Sequence, residues 1–188
     1  MSANLRLFTK AIYGMDHVVR LARPGDWGNM SPCVGWTARH VLGHVNAIQR
    51  YQESLIVGTE PSMNPMNDPD RHAGDDPAAT WAATRDAILE ILDRPGVLDM
   101  TVNNWSGPTT VDNMIAWNVG DTTTHTWDLA RALGVDDRLD PQLVAHVLVV
   151  MSPAAGQLRE SGMVAAPVDV AADADAQTRM LAMLGRSA

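Results

Sequence analysis

The chain has 188 residues, of which 46% are hydrophobic and 19% charged, and its formal net charge is −8. This composition is that of one ordinary globular domain, and it excludes an intrinsically disordered chain. The acidic balance argues against nucleic acid and anionic membranes as partners, because both repel negative charge. No run approaches the ~18 apolar residues of a membrane span, no signal peptide is recognisable, and a single cysteine excludes an internal disulfide, so we expect a cytoplasmic protein.

Helical periodicity dominates the first half of the chain. Apolar residues recur at steps of three and four over 5–22, which predicts an amphipathic helix that ends at the Pro-Gly-containing residues 23–25. A second helix is predicted over 37–57, with Gly58 ending it. Residues 59–76, rich in Pro, Gly, Asn and Asp, are predicted to form a long surface loop.

A third helix is predicted over 77–93, and residues 97–108 are predicted to be extended or loop. The spacing of Thr109 and Asp112 matches a capping box, which predicts that a fourth helix begins there and continues to about Leu133. Strand signals are weak throughout the chain.

The C-terminal part predicts further helices. Asp140 followed by Pro141 is typical of an N-cap and first helical position, so we expect a fifth helix to about Glu160. A proline-containing extended piece over 164–170 then precedes a short last helix at about 176–184.

The predicted fold class is therefore all-α. We expect a single domain over 1–188, with a four-helix core at about 3–134 and a helical C-terminal extension over 140–188.

Four polar residues occupy consecutive positions on the core-facing side of the predicted fourth helix: Asn118, Asp121, His125 and Asp128. Burying an ionised carboxylate without a partner costs several kcal/mol of folding free energy. A metal ion would satisfy Asp121 and His125 together, since residues four apart lie on one face of a helix.

A third ligand must come from another helix, and His44 lies on the inward face of the predicted second helix. Two imidazoles and one carboxylate would leave an open coordination position, as catalytic sites do. These nitrogen and oxygen donors suit zinc, nickel or iron, and they do not choose between the three metals. A buried polar network of His125 with Asp121 or Asp128, without metal, remains open at this point.

Other residues near this set have weaker assignments. Asp128 either orients a ligand as an outer partner or pairs with Arg131. His40 precedes His44 by one turn and is expected to be exposed or an outer partner of the site. Trp36 is a candidate for the mouth of the pocket.

The remaining candidates favour structural roles. Cys33 has no base fixed beside it in the sequence and is expected to be a small buried hydrophobe rather than a nucleophile. His17 is expected in solvent, His146 as a packing histidine with a hydrogen bond, and Trp127 in the core or an interface.

An ordered set of residues resembles the DinB-like metal-binding superfamily, in the actinobacterial branch related to the metal-binding domain of mycothiol-dependent maleylpyruvate isomerase. The resemblance rests on the Ser31–Thr37 segment, His44, the Asp121-x-x-x-His125-x-Trp127-Asp128 motif running to Gly134, and the ending over 168–185.

The resemblance implies a four-helix bundle with an unusual helix order and one divalent metal, held by His44, Asp121 and His125. The isomerase carries Glu at the position of Asp121, and it has an additional C-terminal domain that contributes to its active site. The sequence therefore does not predict maleylpyruvate isomerisation itself.

The function expected from this resemblance is a metal-dependent thiol transferase or isomerase that activates a mycothiol-like thiol for attack on a small electrophile. Two alternatives are a non-catalytic metal-binding or stress-response protein and a hydrolase that uses metal-bound water. The sequence does not identify a general acid, and Asp128 and His40 are the candidates for that role. A homodimer is compatible with the sequence but not indicated by it.

Overall fold

The computed structural model of the chain describes residues 1–61, 64 and 67–187, and helices dominate it. The α-helices run over Ala3–Val19 (α1), Ala38–Val57 (α2), Pro69–His72 (α3), Pro77–Leu92 (α4), Val111–Leu133 (α5), Pro141–Met151 (α6), Ala155–Glu160 (α7) and Ala176–Met183 (α8). A hairpin is formed by Thr101–Asn104 (β1) and Gly107–Thr110 (β2), which pair antiparallel. The predicted all-α class is confirmed.

Four helices surround the main core. The helix α5 packs against both α1 and α2, and α4 packs against the same two helices from the other side. Helices α1 and α2, consecutive in the chain, are therefore diagonal in the bundle rather than adjacent. Large apolar side chains such as Phe8, Ile12 and Ile115 are fully buried between them, and this burial supplies the main driving force for folding.

The capping residues expected from the sequence lie at four helix ends. Gly58 ends α2 in the left-handed conformation, with φ of 74°. Thr37 accepts a hydrogen bond from the His40 backbone N–H at the start of α2, and Asp140 accepts one from Gln142 at the start of α6. Gly134 ends α5 in the left-handed conformation, with φ of 66°, which glycine adopts without steric cost.

The predicted capping box of the fourth helix is wrong. The N-cap of α5 is Thr110, which accepts a hydrogen bond from Asn113. Thr109 lies inside β2, where it pairs with Val102, because the hairpin continues to the first residue of the helix. Asp112 instead accepts a hydrogen bond from the Ser2 hydroxyl at the start of α1.

The predicted fifth helix is interrupted. It ends at Met151, a 3₁₀ turn covers Ser152–Ala154, and α7 continues the chain. Pro153 explains the break, since proline has no backbone N–H to donate and its ring clashes with the preceding turn of an α-helix.

The predicted loop over 59–76 contains the short helix α3, which docks on α2. Gly43 makes this approach feasible, because a Cβ atom there would lie 1.8 Å from the Pro69 carbonyl oxygen. Residues 62, 63, 65 and 66 of the predicted loop lie outside the described residues.

The C-terminal helices form a second apolar cluster on the outer side of α5. It joins residues of α5, α6 and the α8 region, namely Trp127, Val144, Val147, Met180, Leu181 and Leu184. In the part of the chain that the structure describes, no helix is long and apolar enough to cross a membrane.

A buried ion pair links α1 to α4. The Asp16 carboxylate accepts hydrogen bonds from Arg85 and, at 2.7 Å, from Arg20 Nε. Burial on its own would raise the pKa of Asp16, but the hydrogen bonds and charges of the two arginines outweigh it and lower the pKa below its usual value.

We predict that Asp16→Asn destabilises the fold by about 1.5–3 kcal/mol near pH 7, because it removes a buried charged hydrogen bond to Arg85. Arg85 then retains only the exposed carboxylate of Asp86 as a counter-charge. Since the pKa of Asp16 is lowered in the folded state, its stabilising contribution is present above pH 4 and is lost as the pH falls through the folded-state pKa. Chemical denaturation at several pH values measures this, and a gap between the two proteins that persists unchanged at pH 3 contradicts the prediction.

Candidate metal centre

The structure brings His44, Asp121 and His125 together between α2 and α5. Asp121 Oδ1 lies 3.3 Å from His44 Nε2 and 3.6 Å from His125 Nε2. The centroids of the two imidazole rings are 4.9 Å apart. One donor atom from each of the three residues lies within 4.8 Å of the other two, a spacing that one shared cation could bridge.

The local sequence explains this convergence. Asp121 and His125 are one turn apart on α5, so their side chains project from the same face. His44 lies on α2, which packs directly against α5. Both imidazoles are buried, and the Asp121 side chain is 27% exposed.

Asp121 has an acceptor that the described residues leave unused. Its Oδ2 is buried and has no hydrogen-bond partner among them, which is costly for a carboxylate oxygen. Burial would raise the pKa of Asp121, but a hydrogen bond with His44 and electrostatic interactions with His44, His125 and Arg186 outweigh it and lower the pKa, so the group is a carboxylate. An ionised oxygen without a partner beside two imidazole nitrogens fits a divalent cation.

Asp128 holds the far side of the His125 ring. Its Oδ2 lies 2.9 Å from His125 Nδ1, and the carboxylate is completely buried. Burial opposes ionisation, but hydrogen bonds from His125 and Arg186 keep the pKa of Asp128 well below its usual range. A proton held on Nδ1 by this carboxylate leaves the Nε2 lone pair directed towards Asp121 and His44.

Arg186 is the residue of this cluster that sequence reasoning missed. Its Nε and Nη2 donate to the two oxygens of Asp128 at 2.9 and 2.7 Å. Nothing in the spacing of the sequence connects two residues 58 positions apart. The one available signal was the buried carboxylate itself, which requires a cation or strong donors nearby.

Cys33 lies beside the same carboxylate. Its thiol donates to Asp128 Oδ2 at 3.1 Å and accepts from Arg186 Nη2 at 3.4 Å. Burial and the Asp128 charge raise the pKa of Cys33 to about 12, so the thiol is protonated at neutral pH. The prediction that Cys33 is not an activated nucleophile agrees with this geometry, although the residue is only half-buried and has polar neighbours.

A second set of donors shares His125 with the first. Cys33, His125 and Asp128 also each offer an atom within 4.8 Å of the others. The guanidinium of Arg186 already donates hydrogen bonds to Asp128 and Cys33. The Cys33 thiol also retains its proton, so it is a poor metal ligand. The set with His44 and Asp121 is therefore the better candidate for a cation.

Trp36 covers the imidazole rings of the candidate site. Its ring lies 6.0 Å from that of His125, at an interplanar angle of 23°, and 5.2 Å from that of His44. The loop that carries it is closed by backbone hydrogen bonds, including Ser31 N–H to the Trp36 carbonyl at 2.9 Å. This closure holds Trp36 against the His125 ring and Cys33 beside Asp128.

The other sequence candidates lie elsewhere. His40 Nδ1 accepts from the Thr37 backbone N–H and so caps α2. Arg131 does not pair with Asp128; its guanidinium contacts Asp137 and stacks on Trp127. 

The structural roles expected for the remaining residues match their surroundings. His17 is exposed, and His146 Nε2 donates to the Ala116 carbonyl at 2.9 Å. Asn118, on the same face as Asp121, accepts from Gln49 Nε2 at 2.9 Å and therefore belongs to a buried amide contact between α2 and α5.

The fold and this cluster define a helical-bundle protein with a candidate metal centre built from two histidines and an aspartate. The family described as the mycothiol maleylpyruvate isomerase N-terminal domain matches residues 8–130. The chain belongs to this family, and the resemblance drawn from its sequence is confirmed.

Curated relatives match a larger part of the chain. They are the uncharacterized proteins MT0763, from Mycobacterium tuberculosis strain CDC 1551 / Oshkosh, and Rv0738, from strain ATCC 25618 / H37Rv. Each is 30% identical over 145 residues, which cover 74% of this chain and 73% of the relative. No solved structure matches the chain.

We predict that Cys33 is alkylated by iodoacetamide at pH 7.5 roughly a thousandfold more slowly than a free cysteine, because the thiolate is the reactive form and burial raises the pKa of Cys33 to about 12. Mass spectrometry of the folded protein measures the rate, and the unfolded protein is the control. Equal rates in the two states would contradict the prediction.

Proposed function

We propose that the chain is a divalent-metal-dependent enzyme of the thiol transferase or isomerase type. In this proposal His44, Asp121 and His125 hold the metal ion. The observation that carries it is the convergence of these three donors around a buried Asp121 oxygen that has no hydrogen-bond partner among the described residues.

The co-substrate in this proposal is a low-molecular-weight thiol of the mycothiol type, and membership of the family supports that choice. His44, Asp121 and His125 would hold the divalent ion, which would favour the thiolate form of a sulfur ligand near neutral pH.

The residues of the chain prepare the site for this chemistry. Asp128 keeps the proton on His125 Nδ1, so that Nε2 is available as a ligand. Trp36 stacks on the ring of His125 and lies against that of His44 at a tilt of 52°. Asp121 supplies the negative charge that neutralises part of the charge of the cation.

The reaction needs no oxidant or reductant. The thiol sulfur forms a bond to the electrophilic carbon of the substrate, and the thiol proton ends on the neighbouring atom, which gives an addition product. Loss of the same thiol from an adduct that has rotated about the former double bond completes an isomerisation.

We expect purified protein to contain about one divalent ion per chain, which elemental analysis measures after gel filtration. Removal of one ligand in His44→Ala or His125→Ala is expected to weaken zinc binding by more than the roughly 10–100-fold loss typical of outer partners. The exposed His17→Ala is the matched control and is expected to bind as the wild type does. Wild-type affinity in both ligand variants would contradict the metal assignment.

We further expect metal-dependent consumption of mycothiol, with cysteine and glutathione as comparison thiols, when the protein is given a panel of maleimides, activated alkenes and aryl halides. Chelation and His125→Ala should both abolish turnover, because both remove the centre that activates the thiol. His17→Ala should retain it.

The same assay separates the alternatives. Stoichiometric metal without turnover on any electrophile would contradict the enzymatic proposal and support a non-catalytic metal-binding protein. Turnover of activated esters that is independent of added thiol would instead support a hydrolase.

A further inference from the structure

The C-terminal segment is anchored directly behind the candidate metal centre. Met180, Leu181 and Leu184 pack with Trp127, which lies two residues after His125 on α5. All four side chains are almost completely buried. The segment that follows α8 is therefore held at a fixed position relative to the ligand-bearing part of α5.

Gly185 turns the chain towards the site. Its φ of 79° lies in the left-handed region, and a Cβ atom there would be 2.6 Å from the Ala165 Cβ. Only glycine fits both the conformation and the space without strain. The turn is closed by the Arg186 backbone N–H, which donates to the Leu181 carbonyl at 2.9 Å.

The turn directs the side chain of Arg186 inwards. Its Nη1 donates to the Leu184 carbonyl at 2.9 Å, which fixes the guanidinium against the C-terminal end of α8. The Arg186 side chain is 13% exposed, and that of Asp128 is not exposed at all. Two parallel N–H donors facing two carboxylate oxygens form the bidentate geometry that arginine favours.

Asp128 is thereby fixed from three sides. Both of its oxygens are bound by Arg186, and Oδ2 also contacts His125 Nδ1 and the Cys33 thiol. Without the guanidinium, the carboxylate could rotate about its Cβ–Cγ bond and move away from His125 Nδ1. The His125 ring would then lose the hydrogen bond at Nδ1 that fixes its orientation.

We propose that Arg186 is a positioning residue of the metal centre, which it acts on through Asp128 and His125. This inference rests on the proposed metal site. Arg186 lies outside the residues 8–130 that match the family, so the C-terminal segment of this chain completes a site whose three metal-facing side chains all lie within the family domain.

A purely structural role makes a different prediction. If Arg186 only anchored the C-terminal segment, its loss would lower the stability of the metal-free protein and leave metal affinity unchanged. A positioning role requires that the loss appear in metal affinity and that it depend on Asp128.

The test is a titration of metal-free protein with Co²⁺ and Zn²⁺ in the full chain. We expect Arg186→Gln to weaken binding by about 10–100-fold, the typical effect of losing an outer partner. Arg186→Lys, which keeps the charge but not the bidentate fork, should lose less. Arg179→Gln, an exposed arginine on α8, is the matched control and should bind as the wild type does.

The dependence on Asp128 is measured by a double-mutant cycle. Because Arg186 acts through Asp128, adding Arg186→Gln to Asp128→Asn should cost little further affinity, whereas additive losses would overturn the proposal. The visible spectrum of bound Co²⁺ should also change in Arg186→Gln, since the geometry of the His125 ligand changes. Wild-type affinity and spectrum in Arg186→Gln would overturn the proposal.

The wild-type protein provides a test that does not depend on the folding of any variant. In its NMR spectrum the Arg186 Nε–H should be resolved and exchange slowly with water, and a rapidly exchanging Nε–H would overturn the proposal. The result is separable from the proposed function: absence of metal binding in the wild type contradicts the metal site, whereas wild-type binding retained in Arg186→Gln contradicts only the role of Arg186.

Discussion

A single buried carboxylate, that of Asp128, connects the bundle, the C-terminal segment and the candidate metal centre. Its charge is fully removed from water, and such a charge persists only where strong donors surround it. Those donors come from three separate parts of the chain: Cys33 from the loop before α2, His125 from α5 and Arg186 from beyond α8. The need to provide hydrogen bonds for the Asp128 carboxylate therefore brings together segments that are distant in sequence. The same carboxylate fixes Nδ1 of His125, whose Nε2 faces Asp121 and His44.

The helix α5 can support this arrangement because it is buried on nearly every side. One face meets α1 and α2 in the main core, and the opposite face meets α6 and the α8 region in the second cluster. His125 faces the first and Trp127 the second, since residues two apart on a helix project in very different directions. A close-packed helix holds its side chains in defined rotamers, so the spacing of Asp121 and His125 is set by packing before any ligand binds.

The parts of the site that follow a local rule could be predicted from sequence. The polar positions 118, 121, 125 and 128 repeat with helical spacing, and an inward polar stripe requires partners whatever the fold. His44 needed in addition the expectation that α2 and α5 pack together. Arg186 could not be predicted, because its role depends on the left-handed turn at Gly185 and on the docking of α8, and both are tertiary effects. The same reason applies to the hairpin, whose two short strands stabilise each other across a tight turn rather than through any long alternating pattern.

The direction of access to the site follows from which side of His125 is already filled. Asp128, Cys33 and Arg186 occupy the Nδ1 side, and the C-terminal segment packs behind them. In the proposed function, a substrate therefore approaches from the Nε2 side, where Asp121 and His44 lie and where the Trp36 ring stacks on that of His125. In the proposed function, selection among electrophiles therefore depends on Trp36 and on the closed loop that carries it. In the proposed role of Arg186, the C-terminal segment sets the orientation of the metal-facing nitrogen of His125.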